Sequence, residues 1–245
     1  MIPVLALCAA TVPGLAQAQS ADGAPTRMQV LEAFDIAAFG PADRPDPHLY
    51  RWPADAALTL RMTGNAPERY RGWVAGQADG LTALTGLRID ISSAIGADVV
   101  IVFVPHFGDV LDGRYNDLLD RFVASESRRD SLLDGYRAAG AVCAGQVNAR
   151  GTHLAEAIIF VPTDRMAPVA HACIASQLAR IMGLPFALPP EQPSTLATDS
   201  PFAHLTELDR TMLQMLYHPR MRAGISRDDA RTVALSVLPE ISPND

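Results

Sequence analysis

Ser176, Gln177 and Arg180 have the spacing of a metal-binding helix without its side chains. Helical zinc sites of one kind place two His four residues apart, a Glu after the first, and a third His three residues beyond a turning Gly. Gly183 occupies the position of that Gly, and Phe186 the position of the third His. A hydroxyl, a guanidinium and a phenyl ring do not bind zinc, and an amide is not a base. The pattern therefore predicts a degenerate site face with no catalytic and no metal-binding residue.

Other chemistries lack their sequence signals as well. All 20 basic residues are Arg, which excludes a Lys Schiff base and a phosphate-binding loop Lys. There is no Gly-x-Ser-x-Gly elbow and no dinucleotide loop, so no cofactor is predicted. A paired-carboxylate glycosidase stays open, because two carboxylates can meet from anywhere in a fold. No two His have the four-residue spacing of a helical zinc site, and each is predicted to be a surface or loop residue: His48, His106, His153, His171, His204 and His218.

Composition bounds the class of protein. Apolar residues make up 49% of the 245 residues and charged ones 19%, which is typical of an ordered protein with a proper core. The net charge is −7, and no basic stripe runs along the chain. Nucleic acid is therefore not an expected partner.

The amino-terminal residues predict export. Residues 1–18 combine an apolar run with a small-x-small cleavage site at Ala16-Gln17-Ala18, which is typical of a signal peptide. A membrane anchor is the alternative, but the run is shorter than the ~20 residues of a spanning helix. We expect residues 19–27 to be a flexible tail and 28–245 to be a single domain, periplasmic or extracellular, with no stable membrane span after cleavage.

Export changes how the cysteines are interpreted. Cys143 and Cys173 are the two that remain after removal of the signal, and a pair in an oxidising compartment predicts a disulfide. A reactive thiol is the alternative, but His171 has the wrong offset from Cys173 to share its helix face.

The apolar pattern predicts an α+β chain. Residues 106–150 interrupt the alternation of strands and helices and are predicted to be an insertion. Trp52, Trp73, Tyr50 and Tyr70 are predicted to pack in the core rather than line a ligand groove. The predicted helices are Met28–Phe39, Glu68–Thr85, Pro168–Met182, one starting at Thr206 and one at Ser226; the strands are Ala57–Met62, Leu87–Ile91, Val99–Val104 and His153–Val161.

This order, with a helix that ends in Met-Gly-Leu-Pro, resembles the zincin-like fold, in which a small twisted mixed sheet packs on a long helix before a mainly helical C-terminal part. More closely, the chain resembles an exported bacterial family of unknown function, domain of unknown function 2927. The residues that carry the resemblance are Ala38-Phe39-Gly40, Arg51-Trp52, Cys173, Gln177, Gly183-Leu184-Pro185, Leu205-Thr206, Asp209 and Leu216-Tyr217.

The resemblance implies a divergent member. The family pattern has Glu-Glu-x-x-Gln where this chain has Ser176, Gln177 and Arg180. We expect a non-catalytic binding or envelope-associated module with no cofactor, and leave the enzyme question uncertain. A hydrolase with substituted chemistry in the same cleft is the alternative. A third possibility is a subunit whose Gln177 and Arg180 face a protein partner in the cell envelope; that partner is unknown.

Overall fold

The computed structural model describes residues 24–45, 47–123 and 125–242. They form eight helices and five strands in an α+β arrangement. The strands are β1 (Ala57–Gly64), β2 (Arg88–Ile91), β3 (Val99–Val104), β4 (Ala144–Arg150) and β5 (His153–Pro162). The helices are α1 (Arg27–Phe39), α2 (Glu68–Thr85), α3 (Phe107–Leu111), α4 (Asn116–Leu119), α5 (Glu126–Ala138), α6 (Ala167–Ile181), α7 (Glu207–Tyr217) and α8 (Arg227–Ile241).

The strands form one mixed sheet in the order β2-β1-β3-β5-β4. β2, β1, β3 and β5 are parallel, and β4 alone is antiparallel to its neighbour β5. All six residues of β3 are buried, as a strand covered on both faces requires. Among the described strands β4 lies at the edge of the sheet, so one side of its backbone has no neighbouring strand there.

Two apolar cores cover the two faces of the sheet. The larger contains residues of α1, α2, α6, α7 and α8, and the smaller contains residues of α3, α4 and α5. Val147 of β4 packs on the larger core and Ala144 belongs to the smaller one, as alternation along a strand predicts. β4 therefore separates an α6 side from an α5 side.

Several predicted elements are confirmed at their boundaries. α2 covers the predicted residues, and Gly86 ends it in the left-handed conformation. Thr206 begins α7 with a capping box, and Ser226 caps α8. The disulfide between Cys143 and Cys173 is present and joins the start of β4 to α6.

Other expectations need correction. The predicted insertion at 106–150 ends in β4, which is an integral strand of the sheet. α1 begins at Arg27 with Thr26 as its cap, so the last residues of the predicted tail are helical or cap the helix. The predicted signal peptide, residues 1–18, lies outside the described residues.

Candidate functional site

The predicted site face is a strip of α6 that faces away from the core. Pro168 lies in the first turn of the helix, where its missing N–H costs nothing. Residues 173–175, 178–179 and 181 are buried, whereas Ser176, Gln177 and Arg180 are half-buried. Residues four apart are neighbours on a helix, and the Arg180 Nε donates to Ser176 Oγ at 3.4 Å. The structure therefore brings the three predicted residues together.

The C-terminal end of α6 is held by distant side chains. Trp52 Nε1 donates to the Ile181 carbonyl at 2.9 Å, and the Tyr217 hydroxyl donates to the Met182 carbonyl at 2.8 Å. Gly183 has a φ of +115°, and a Cβ there would collide with the Tyr50 carbonyl oxygen, so this position needs glycine. These contacts satisfy carbonyls that a helix end leaves free, and they fix the direction of the helix.

Arg51 lies beneath this helix end. Its side chain is buried, and its Nη1 donates to the carbonyls of Leu216 at 2.8 Å and Met221 at 2.6 Å. The guanidinium also stands 4.5 Å from the centre of the Tyr217 ring. Burial lowers the pKa of Arg51, and the nearby Tyr217 opposes that shift. The buried guanidinium of Arg51 therefore joins the end of α7 to the segment that follows it.

Asp209 holds the loop that passes beside Arg180. This fully buried carboxylate accepts hydrogen bonds from the Ser194 hydroxyl, from Thr195 N at 2.9 Å, and from Thr206 N and Oγ1 at 2.9 Å each. The Ser194 hydroxyl in turn accepts a bond from Leu196 N at 2.9 Å. One carboxylate thus caps α7 and fixes residues 194–196.

Arg180 is held by neutral oxygens. Its Nη1 donates to the Pro185 carbonyl at 2.8 Å, and its Nη2 lies 3.5 Å from the Leu196 carbonyl. A guanidinium has five N–H donors, and these bonds with the Ser176 contact engage three of them. Among the residues that the structure describes, no carboxylate lies within ion-pair distance of Arg180. Burial lowers the pKa of Arg180, but a guanidinium stays charged. Arg180 is thus a half-buried cation with unused donors and, within the described residues, no counterion.

The outer edge of β4 borders this cation. Gln177 packs against Gly145, where a Cβ would lie 2.7 Å from Gln177 Oε1. From the α5 side, the Tyr136 hydroxyl donates to the Gly145 carbonyl at 3.0 Å. Burial raises the pKa of Tyr136 to about 12, although the nearby Arg180 lowers it, so the phenol is neutral at neutral pH. The site therefore presents hydrogen-bond donors and one positive charge.

These side chains do not fit a zinc ion or a general base. Phe186 packs away from Arg180: its ring would contact a Cβ at Gly40, and the Arg44 guanidinium lies 5.0 Å from its centre. No contact of Ser176, Gln177 or Arg180 in the described part of the chain involves a His, Asp or Glu. Within the same residues, no group of three or more His, Cys, Asp or Glu has metal-binding geometry.

The aromatic residues and His residues are arranged differently from the prediction in one respect. Trp52 and Tyr70 are buried in the core, as predicted. His171, predicted to be a surface or loop residue, is half-buried on α6 and stacks on Trp73 with ring centres 4.5 Å apart. The exposed His204 contacts the same ring at 5.6 Å. Tertiary packing thus brings together two His that are 33 positions apart.

The model of a protein family described as a protein of unknown function (DUF2927) matches residues 32–235. The chain belongs to the DUF2927 family. No curated protein is similar enough to the chain to count as a match. No helix of this DUF2927 protein, among the residues that the structure describes, is long and apolar enough to cross a membrane.

Sequence reasoning missed two members of the site in this DUF2927 protein. A Gly inside a strand often marks a close approach, so Gly145 carried a signal, but the strand itself was not predicted. Tyr136 carried no signal, because it reaches the site through the packing of α5 on the sheet.

Proposed function

We propose that this protein is a non-catalytic binding module that receives a carboxylate-bearing ligand at Arg180. The observation that carries the proposal is a half-buried guanidinium that is bonded to neutral oxygens and has unused donors. Carboxylates pair with guanidinium groups through two parallel hydrogen bonds, and partial burial strengthens such pairs. Ser176 and Gln177 add a hydroxyl and an amide beside the cation.

The chemistry of the same side chains favours binding over hydrolysis. A Ser nucleophile needs a base within hydrogen-bond reach, and the Ser176 hydroxyl instead accepts a hydrogen bond from Arg180, which is a cation. Tyr136 holds its proton at neutral pH because burial raises its pKa. Among the described residues that contact Ser176, Gln177 or Arg180, none can therefore activate Ser176 or a water molecule for the hydrolase alternative.

Two finer proposals accompany this one. We infer a zincin-like relationship, which is supported by a helix that follows β5, packs on β4 and β5 and ends at Ile181, two residues before Gly183. We also infer that the protein is exported to the periplasm or outside the cell. The disulfide supports export, since such bridges persist in oxidising compartments.

The test uses a free carboxylate and its matched amide. We would titrate isotope-labelled protein with acetyl-alanyl-alanine and with its carboxamide, and follow the Arg180 side-chain N–H by NMR. We expect a saturable shift with the acid and none with the amide, because the amide lacks the charge. Followed at the Gln177 side-chain amide, which every variant keeps, the response should vanish in Arg180→Gln and persist in Arg88→Gln, an exposed arginine paired with Asp90.

Two results would contradict the proposal. Equal responses to the acid and the amide would show that the charge of Arg180 does not select the ligand. Near-stoichiometric zinc in the purified protein, measured by elemental mass spectrometry after metal-free dialysis, would indicate a metal enzyme instead.

A further inference from the structure

A second site lies on the α5 side of β4. A groove of about 790 Å³ is bounded by α5, by the segment before it and by the β4–β5 hairpin, and it is in the size range of ligand pockets. β4 lines it with five consecutive residues, Gln146–Arg150. Gln177 packs on the opposite face of β4, so this groove is separate from the Arg180 site.

Three arginines make the groove basic. Arg121, Arg128 and Arg150 line it and are exposed. Glu156 is the sole acid among its described lining residues, and it lies 3.4 Å from Arg150. The groove thus carries an excess of two positive charges in a chain whose net charge is −7.

Neighbouring arginines of α5 differ in their partners. Arg129 is buried and forms ion pairs with Asp120 at 2.6 Å, Glu126 at 3.1 Å and Asp130 at 3.4 Å. Arg128, one position earlier, faces the groove and has no carboxylate within ion-pair distance in the described ranges. The acids of this segment gather around Arg129, so the charge of Arg128 is available to a ligand.

The free edge of β4 adds backbone groups to the same groove. The Val147 carbonyl accepts a hydrogen bond from the Gln146 side chain at 3.0 Å, and β5 pairs on the other side of the strand. A flexible side-chain amide can give way to the backbone N–H of an added strand. Leu132 and Val123 supply half-buried apolar contacts beside this edge.

We propose that this groove binds an acidic peptide segment in an extended conformation. Guanidinium groups would pair with its carboxylates, and the β4 edge would bond to its main chain. The proposal goes beyond the Arg180 site and involves different residues, so either one can fail alone.

The test measures binding of a capped, fluorescein-labelled hexaglutamate to the mature protein by fluorescence anisotropy. We expect saturable binding at about 20 mM salt that weakens at about 300 mM, because salt screens exposed charges. Arg121→Gln combined with Arg128→Gln should weaken binding about tenfold. Arg114→Gln, an exposed arginine paired with Asp109, is the matched control and should leave binding unchanged.

Three outcomes would overturn the proposal: no saturable binding of hexaglutamate at low salt, an equal loss in the Arg114→Gln control, or tighter arginine-dependent binding of a uronic-acid trimer. Arg180→Gln separates the two sites: loss of hexaglutamate binding in this variant, with binding kept in the Arg121→Gln, Arg128→Gln variant, would assign the probe to Arg180 and would also overturn the proposal. Unfolding midpoints of all variants, measured in parallel, would identify any that fail to fold, and Arg128→Gln alone would then serve as a milder test with a smaller expected loss.

Discussion

Arg51 and Arg180 both contact groups near the C-terminal end of α6 and have different roles. Neither is paired with a carboxylate among the described residues, and both donate to backbone carbonyls. Arg51 is 6% exposed and has an aromatic ring against its guanidinium, so no ligand reaches it. Arg180 is half-buried and keeps unused donors. A buried cation without a counterion is therefore not by itself a binding site; access and unused donors distinguish the two.

Substitution of Arg51 should lower the free energy of unfolding more than any other change considered below. Arg51→Met leaves the carbonyls of Leu216 and Met221 buried without their donor, and we expect the free energy of unfolding to fall by about 4 kcal/mol. Arg180→Met should lower it by less than about 1 kcal/mol, because solvent can replace the lost bonds. Urea unfolding measures both variants, and equal losses would remove the distinction.

Loss of the disulfide should destabilise β4, beside Arg180, more than the end of α7, which Arg51 holds. The double variant Cys143→Ala, Cys173→Ala should lower the free energy of unfolding by roughly 3 kcal/mol, since the bridge closes a loop with a sequence separation of 30. Hydrogen exchange should speed up in β4 more than at the end of α7. Uniform acceleration would mean that the bridge acts on the whole fold.

Asp209 links the surroundings of Arg51 and Arg180. It caps α7, whose end Arg51 holds, and it fixes the loop whose Leu196 carbonyl lies beside Arg180. Asp209→Asn replaces an acceptor by a donor that faces the Thr206 N–H, and we expect a loss of about 2 kcal/mol in the free energy of unfolding. Weaker carboxylate binding at Arg180 should accompany it. Asp199→Asn is the control, since this exposed residue has a φ of +56° that Asn tolerates, and its effect should stay within about 0.5 kcal/mol.

Substitution of His171, in the first half of α6, should have the smallest effect on stability, and that effect should depend on pH. Burial lowers the pKa of His171 below its usual value of 6.5, with smaller contributions from His204 and Arg69. The unfolded chain then binds a proton more readily than the folded one, so stability is lost as pH falls below about 6.5. His171→Gln should reduce the fall in unfolding midpoint between about pH 7 and pH 5. An unchanged pH dependence would assign the acid sensitivity to other groups.

The fold was predictable where local pattern and tertiary environment agree. β3 is a run of β-branched residues in a fully covered strand, and α2 ends at a Gly in the conformation that Gly favours. β4 was missed because Gly145 and its polar neighbours have weak strand propensity, and pairing with β5 supplies what propensity lacks. Pairing with a neighbouring strand leaves no trace in the hydrophobic periodicity of β4 itself.

The candidate site was predictable in its helical half alone. Helical spacing placed Ser176, Gln177 and Arg180 on one strip of α6, and the hydrogen bond from Arg180 to Ser176 agrees with that spacing. Tyr136 and Gly145 approach from the sheet and from α5, so their part in the site follows from packing.

The sequence by itself determined that the side chains of Ser176, Gln177 and Arg180 are neither zinc ligands nor general bases, since the identity of a side chain fixes what it can ligate or deprotonate. It also determined that these residues share one strip of α6, because 3.6 residues per turn is a local property. Only the tertiary structure decided that Arg51 is buried, that Arg129 is surrounded by acids and that Arg180 remains accessible. Burial of Arg51 and access to Arg180 depend on distances between segments that are separated in the sequence.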